Sequence, residues 1–243
     1  FQPQWILIKN INLSTEQWYI FDMIRGIRTD YSDYVMEASR NVQENAWDLI
    51  DLTDVGFRIK INDDKVNNTN GQYVYMAIRR PDSYVGKLPE VGTDCFAMDV
   101  GNSSSTGPAF DSGFPVDMVL HQQPASAGLD WRITTRYDQL RKSVIPGPAA
   151  ESDENTNYLD YMDGFATSYT NIWQSWMWKR HAGFDVQIFQ GTAHDPSYGY
   201  RHGLGQVPAL KMMKRMDQAY DWIGTGTIVS QAMAGTNDAK DYY

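Results

Sequence analysis

Four histidines, one cysteine and a surplus of acids are the residues in this chain with chemical potential. His121, His181, His194 and His202 show neither the His-x-x-x-His nor the His-Glu-x-x-His spacing that puts two imidazoles on one metal. No Gly-x-Ser-x-Gly elbow presents an activated serine. Cys95 lies in the apolar run Cys-Phe-Ala-Met and reads as a buried structural thiol. A glycosidase needs two carboxyls facing each other across a sugar. The acid pairs here, Asp63-Asp64, Asp153-Glu154 and Asp160 with Asp163, read as solvated loop groups. Asp153, Asn155 and Asn157 alternate like calcium-loop oxygens. Tyr158 stands where such a loop needs glycine, and Gly164 where it needs glutamate, so calcium is a weak candidate and no cofactor is expected. Trp173, Trp176 and Trp178 are the candidate sugar platform. Strand alternation puts Trp173 on the face opposite the other two, which suits a strand buried on both sides. No catalytic residue emerges, and the expectation is a protein that is not an enzyme.

Charge and composition narrow the partners. With 21 basic and 30 acidic residues the net charge is -9, which is not the footprint of a nucleic-acid binder. No basic run is present to hold an anionic membrane, and no apolar run is long enough to span one as a helix. A single cysteine excludes an internal disulfide framework. The chain opens on Phe-Gln-Pro without Met, so a processed chain or a segment of a longer one is expected. The 8 Trp, 15 Tyr and 9 Phe, with 19 Gly and 10 Pro, favour short strands and tight turns.

The elements that would position these side chains repeat. Phe1–Lys9 is followed by a strand from Trp18, Gly113–His121 by one from Trp131, and Gly205–Lys214 by one from Trp222. Each pair reads as a β-hairpin. Gly56-Phe57 and Gly164-Phe165 recur downstream, followed by closing strands Tyr73–Arg79 and Trp173–Lys179. Opening strands Thr93–Gly101 and Phe184–Gly191 then begin the next copy. The unit is about 90 to 110 residues long. Residues 89–182 form the complete copy, 1–88 a copy lacking its opening strand, and 183–243 the opening half of a third. Strands are predicted at 5–9, 17–23, 56–61, 72–79, 93–100, 116–121, 130–136, 164–168, 172–179, 184–190, 208–214 and 220–224. Short helices are expected within Asp33–Ile50 and Asp138–Val144. The fold class is all-β, an antiparallel β-sandwich of jelly-roll or concanavalin-like repeats.

In combination, Phe1–Lys9, Trp18–Gly26, Gly56-Phe57 and Asn68–Ala77 resemble a tandem domain of unknown function found in structural proteins of marine bacteriophages and related prophages. The resemblance implies a virion part, a tail fibre or surface appendage with a concanavalin-like or laminin-G-like sandwich. It also implies location on the extracellular particle surface and no catalytic residues. Its partners would be copies of itself and other virion proteins. The competing reading is a carbohydrate-binding adhesin for host surface polysaccharide. The second copy departs from the pattern, with His121-Gln122 at the Ile-Lys end and Tyr137-Asp138 for Arg-Gly.

The two partial copies are complementary, and each alone leaves sheet edges uncovered. Either the missing strands lie in further sequence, or the tail of one subunit completes the head of the next. Strand exchange would bring Phe184, Val186 and Ile188 against Trp5 and Leu7, and would propagate as a ring or filament.

Overall fold

The structure is a computed structural model. It describes residues 1–28, 32–79, 89–102, 107–125, 129–139, 141–145, 147, 149–153, 158–167, 172–189, 191 and 199–226. The described elements are strands apart from one 3-10 turn at Gly92–Asp94, so the fold is all-β. The chain divides into two compact units. The first comprises Phe1–Lys87 with Asp185–Gly203, and the second Leu88–Phe184 with Leu204–Tyr243. Residues 183–243 are thus shared between the two.

Unit 1 holds β1 (Trp5–Asn10), β2 (Trp18–Asp22), β3 (Asp33–Glu37), β4 (Asn45–Trp47), β5 (Ile50–Thr53), β6 (Gly56–Ile59) and β7 (Tyr73–Ile78). Its main sheet has the order β4-β3-β2-β1-β7, and β5 pairs β6 separately. Alternation along β1 and β2 drives the burial. Ile6, Ile8, Tyr19 and Phe21 are buried on one face, joined by Val35 of β3, Ile50 and Leu52. A buried carboxylate stitches this unit together. Asp33 accepts backbone N–H bonds from Arg28, Leu49 and Ile50 at 3.0–3.1 Å. Burial nevertheless pushes its pKa up to about 7, with these bonds acting against the shift.

Unit 2 holds β8 (Phe96–Val100), β9 (Phe110–Asp111), β10 (Met118–Gln122), β11 (Trp131–Thr135), β12 (Arg141–Ile145), β13 (Ser152–Asp153), β14 (Gly164–Phe165), β15 (Gln174–Trp178), β16 (Lys211–Met213) and β17 (Ile223–Thr225). The main sheet runs β13-β12-β11-β10-β15-β8, with β14-β9 and β16-β17 as smaller pairs. Val119 and Met177 on the sheet pack in one cluster with Phe110, Phe114, Leu159, Phe165 and Trp173. Phe110 and Phe165 stack at 4.7 Å between ring centres. That layer over the sheet is the sandwich-like core.

The two main sheets share one register. Leu7 pairs with Ile20 and Met76, while Leu120 pairs with Ile133 and Trp176. Tyr34 faces Ala46 as Arg141 faces Asp153. Every strand of the first sheet therefore has its counterpart in the second, in the order β4/β13, β3/β12, β2/β11, β1/β10 and β7/β15. Among the described residues the second sheet alone carries one more strand, β8, on the β15 edge.

Three expectations are corrected. Asp33–Ile50 carries no helix but β3, β4 and the start of β5. Asp138–Val144 holds a turn leading into β12 rather than a helix. β3 and β12 are short and charged, and their pairing partners on both sides, not their own periodicity, make them strands. Residues 185–189 form no strand; Phe184 makes only an isolated bridge with His181.

Candidate functional site

Of the expected assembly residues, Trp5 and Leu7 sit on β1, which is paired on both sides by β2 and β7. No strand from elsewhere can join β1, because its two ladders are filled. The open edge lies one strand further out, on β7. Among the described residues β7 pairs only with β1. Its Val74, Tyr75, Met76 and Ile78 are all exposed, Tyr75 at 62%. Their counterparts on β15 are half-buried or buried, since β8 covers that edge. β7 carries no charge and no proline, the two devices that usually blunt an edge. Phe184 and Ile188 are elsewhere: Phe184 stacks on Trp178 at 6.1 Å, and Ile188 is buried. Val186 is half-buried.

The outer faces of both sheets are apolar as well. In unit 2 one row across the strands reads Met98, Trp176, Leu120, Ile133. In unit 1 the same row reads Met76, Leu7, Ile20, Met36. Trp176 lies 4.9 Å from Trp131 between ring centres, tilted by 39°. Trp178 lies 5.2 Å from Phe96. The tryptophan alternation is as read from sequence, but the strand is buried on one side only. Trp173 is in the core, while Trp176 and Trp178 are half-buried on the outer face.

The polar candidates are mostly tied into the fold. Asp63 holds the backbone N–H and ammonium of Lys65, and Asp64 accepts from Asn68. Asp153, in β13, pairs with Arg141 at 3.4 Å; Asn155 and Asn157 lie outside the described residues, as does His194. Asp163 gives its backbone carbonyl to Ser112 and Gly113, and burial pushes the Asp160 carboxyl up. His181 accepts from the Gly183 N–H. Among the described residues no group of three His, Cys, Asp or Glu stands together to hold a metal. His121 is fully buried between Phe165 and Trp173, with ring centres at 6.0 and 5.4 Å. Burial drives its pKa down to about 3, helped by Arg132 and Lys142, so the imidazole is neutral.

One cluster escaped the sequence reading. Asp138, in the turn after β11, and Glu151, before β13, hydrogen-bond carboxyl to carboxyl. Thr135 bonds Asp138 through its N–H and its hydroxyl, and Arg141 holds Glu151 at 2.8 Å. Burial is the main force pushing both carboxyls above their ordinary range; at Glu151 the charges of Asp138 and Asp153 add to the rise, and that of Arg141 opposes it. Carboxyls in direct contact leave no room for a glycosidic bond between them, which in glycosidases needs about 5 Å or more. The contact ties the turn after β11 to the segment before β13, and the burial of both carboxyls favours keeping a proton between them.

Comparison with known proteins adds one finding: residues 1–80 match the profile of Domain of unknown function (DUF7483). That stretch coincides with the main sheet of unit 1, through the end of β7. No curated protein and no solved structure matches the chain.

Proposed function

We propose that this chain is a structural, self-associating component of a bacteriophage particle, a tail fibre or appendage on the virion surface. It has no catalytic role in this reading, and its partners are copies of itself and other virion proteins. The carrying observation is that one sheet is built twice in the same register, with an apolar edge left open on β7 and closed on β15. Repeated sheets with matched edges make an extended array at low cost in new sequence, because each copy offers the surface its neighbour already fits. The sequence resemblance supplies the phage setting. Antibody labelling of the particles, viewed by electron microscopy, tests this: decoration of a fibre or appendage is expected, and undecorated particles would refute it.

The Trp131–Trp176 pair favours a second reading, in which the outer face of unit 2 stacks on host polysaccharide. Specific retention on that polysaccharide, abolished by Trp131→Ala, would favour it.

A further inference from the structure

In unit 2 the β15 edge receives β8 in a fixed way. Gly101 N–H donates to the Trp173 carbonyl and Lys179 N–H to the Cys95 carbonyl. The ladder therefore places Met98 opposite Trp176 and Ala97 opposite Met177. In unit 1, Ile11 N–H donates to the Gln72 carbonyl. By the alternation of an antiparallel ladder, the peptide groups of Tyr73, Tyr75 and Ala77 point away from β1, toward the open edge. The edge is thus set up for one more antiparallel strand.

The chain contains a segment matched to that role. Aligning Gly191 with Gly101 puts Val186, Gln187, Ile188 and Phe189 in the places of Phe96, Ala97, Met98 and Asp99. This segment follows unit 2 in sequence, yet residues 185–203 belong to unit 1. In sequence order they correspond to the β8–β9 stretch, for which unit 1 shows no counterpart among the described residues. Arg201 N–H reaches the Asp54 carboxylate at 3.3 Å and ties the far end of the segment to the β5–β6 hairpin, while Asp185 accepts the Gly203 N–H at 2.6 Å and closes the segment's two ends on each other. Between these anchors residues 185–189 make no ladder.

We propose that residues 186–189 are a donor strand that docks on the open edge of β7 in its own chain, with Ile188 opposite Met76, and that docking decides whether this edge is offered to another copy. The inference rests on the self-association reading and adds its gate. A docked strand satisfies the outward peptide groups and covers Val74, Met76 and Ile78. An undocked one leaves them as a template for a second chain. The segment's own anchoring to unit 1 is what favours its own edge over a neighbour's, since the loop to be closed is already closed.

Paired cysteines test it, in a Cys95→Ala background. Met76 and Ile188 fall at a non-hydrogen-bonded pair, where opposing Cβ atoms stand closest and a disulfide fits. The variant with Met76→Cys and Ile188→Cys is expected to link within single chains, as a monomeric band of raised mobility on a non-reducing gel. The control with Met76→Cys and Phe189→Cys puts the second thiol on the opposite face and is expected not to link. Sedimentation should then show the oxidised Met76/Ile188 variant as single chains and the reduced form associating. Links only between chains, no link, or equal linking in the control would overturn the docking. Equal association of oxidised and reduced forms would overturn the gate. A wild-type protein that stays monomeric at every concentration while the link still forms would overturn self-association and leave the docking intact.

Discussion

Ile8 and His121 occupy the same place in two copies of one sheet. Ile8 pairs with Tyr19 and Tyr75, and His121 with Arg132 and Ser175, each in the strand that both neighbours flank. Both side chains are buried. One copy fills the site with a branched hydrocarbon, the other with an imidazole between two aromatic rings.

That substitution makes unit 2 sensitive to acid. The folded state holds His121 neutral down to about pH 3, whereas an unfolded histidine takes its proton near 6.5. Between those values the unfolded chain binds more protons, so stability is full above about pH 6.5 and is lost as pH falls toward 3. His121→Ile, borrowing the residue of the first copy, should remove this loss. Thermal melts from pH 7 to 4 are the check: the wild type should fall by several degrees more than the variant. A loss of about 1 kcal/mol corresponds to about 2–4 °C at this chain length.

Asp117 is expected to be the most sensitive carboxylate in unit 2. One oxygen holds the Arg136 guanidinium at 2.9 Å, and the other accepts the Arg180 N–H at 2.8 Å. Arg136 is buried and also donates to the Leu159 and Val116 carbonyls. Asp117→Ala would strand that charge, at a cost of about 3 kcal/mol. Asp153→Ala removes a carboxylate that is itself 56% exposed and should cost less than about 1 kcal/mol. Urea denaturation of the two variants side by side decides the ranking.

How far the sequence speaks depends on the element. Alternating apolar strands opened by tryptophan, such as Trp5–Asn10 and Trp131–Thr135, were legible because burial on one face imposes a period of two. The Gly-Phe landmarks were legible because both recur at a strand pair. β3 and β12 were not: Asp33-Tyr-Val-Met-Glu and Arg-Lys-Ser-Val-Ile carry charges that only become acceptable when Asp33 finds three N–H donors and Arg141 finds Glu151. The Asp138–Glu151 contact joins residues on opposite sides of β12, and no spacing rule reports it. Residues 184–190 have the strand alternation, but a ladder needs a partner, and sequence alone does not say which edge is open.

The Asp138–Glu151 pair carries the opposite pH dependence from His121. Both folded-state values lie above the unfolded ones, so the folded chain keeps a proton that the unfolded chain gives up. Their contribution is therefore present below about pH 4.5 and is lost as pH rises toward about 9. Glu151→Gln keeps the shape and the hydrogen-bond donor but cannot ionise. From pH 7 to 9, above the range in which Asp33 titrates, its melting temperature should fall less than that of the wild type; parallel curves would show that the pair does not share a proton.

The Gly-Phe landmark offers a test of what the extra strand does. At Gly164 an added Cβ would lie 2.1 Å from the Phe110 carbonyl oxygen and 2.8 Å from the Pro108 Cβ, because β9 runs directly against β14. At Gly56, the matching position of unit 1, the nearest atom to such a Cβ is the Thr53 hydroxyl at 4.0 Å. No β9 counterpart crosses there among the described residues. Gly164→Ala must push backbone apart in a packed core and should cost about 3 kcal/mol or more, within the range for overpacking. Gly56→Ala should change stability by less than about 1 kcal/mol, since the space is open and the unfolded chain loses freedom in the bargain. Urea denaturation of both variants reads the difference directly. Equal losses at the two glycines would mean that unit 1 receives its own crossing strand at Gly56, as unit 2 does at Gly164.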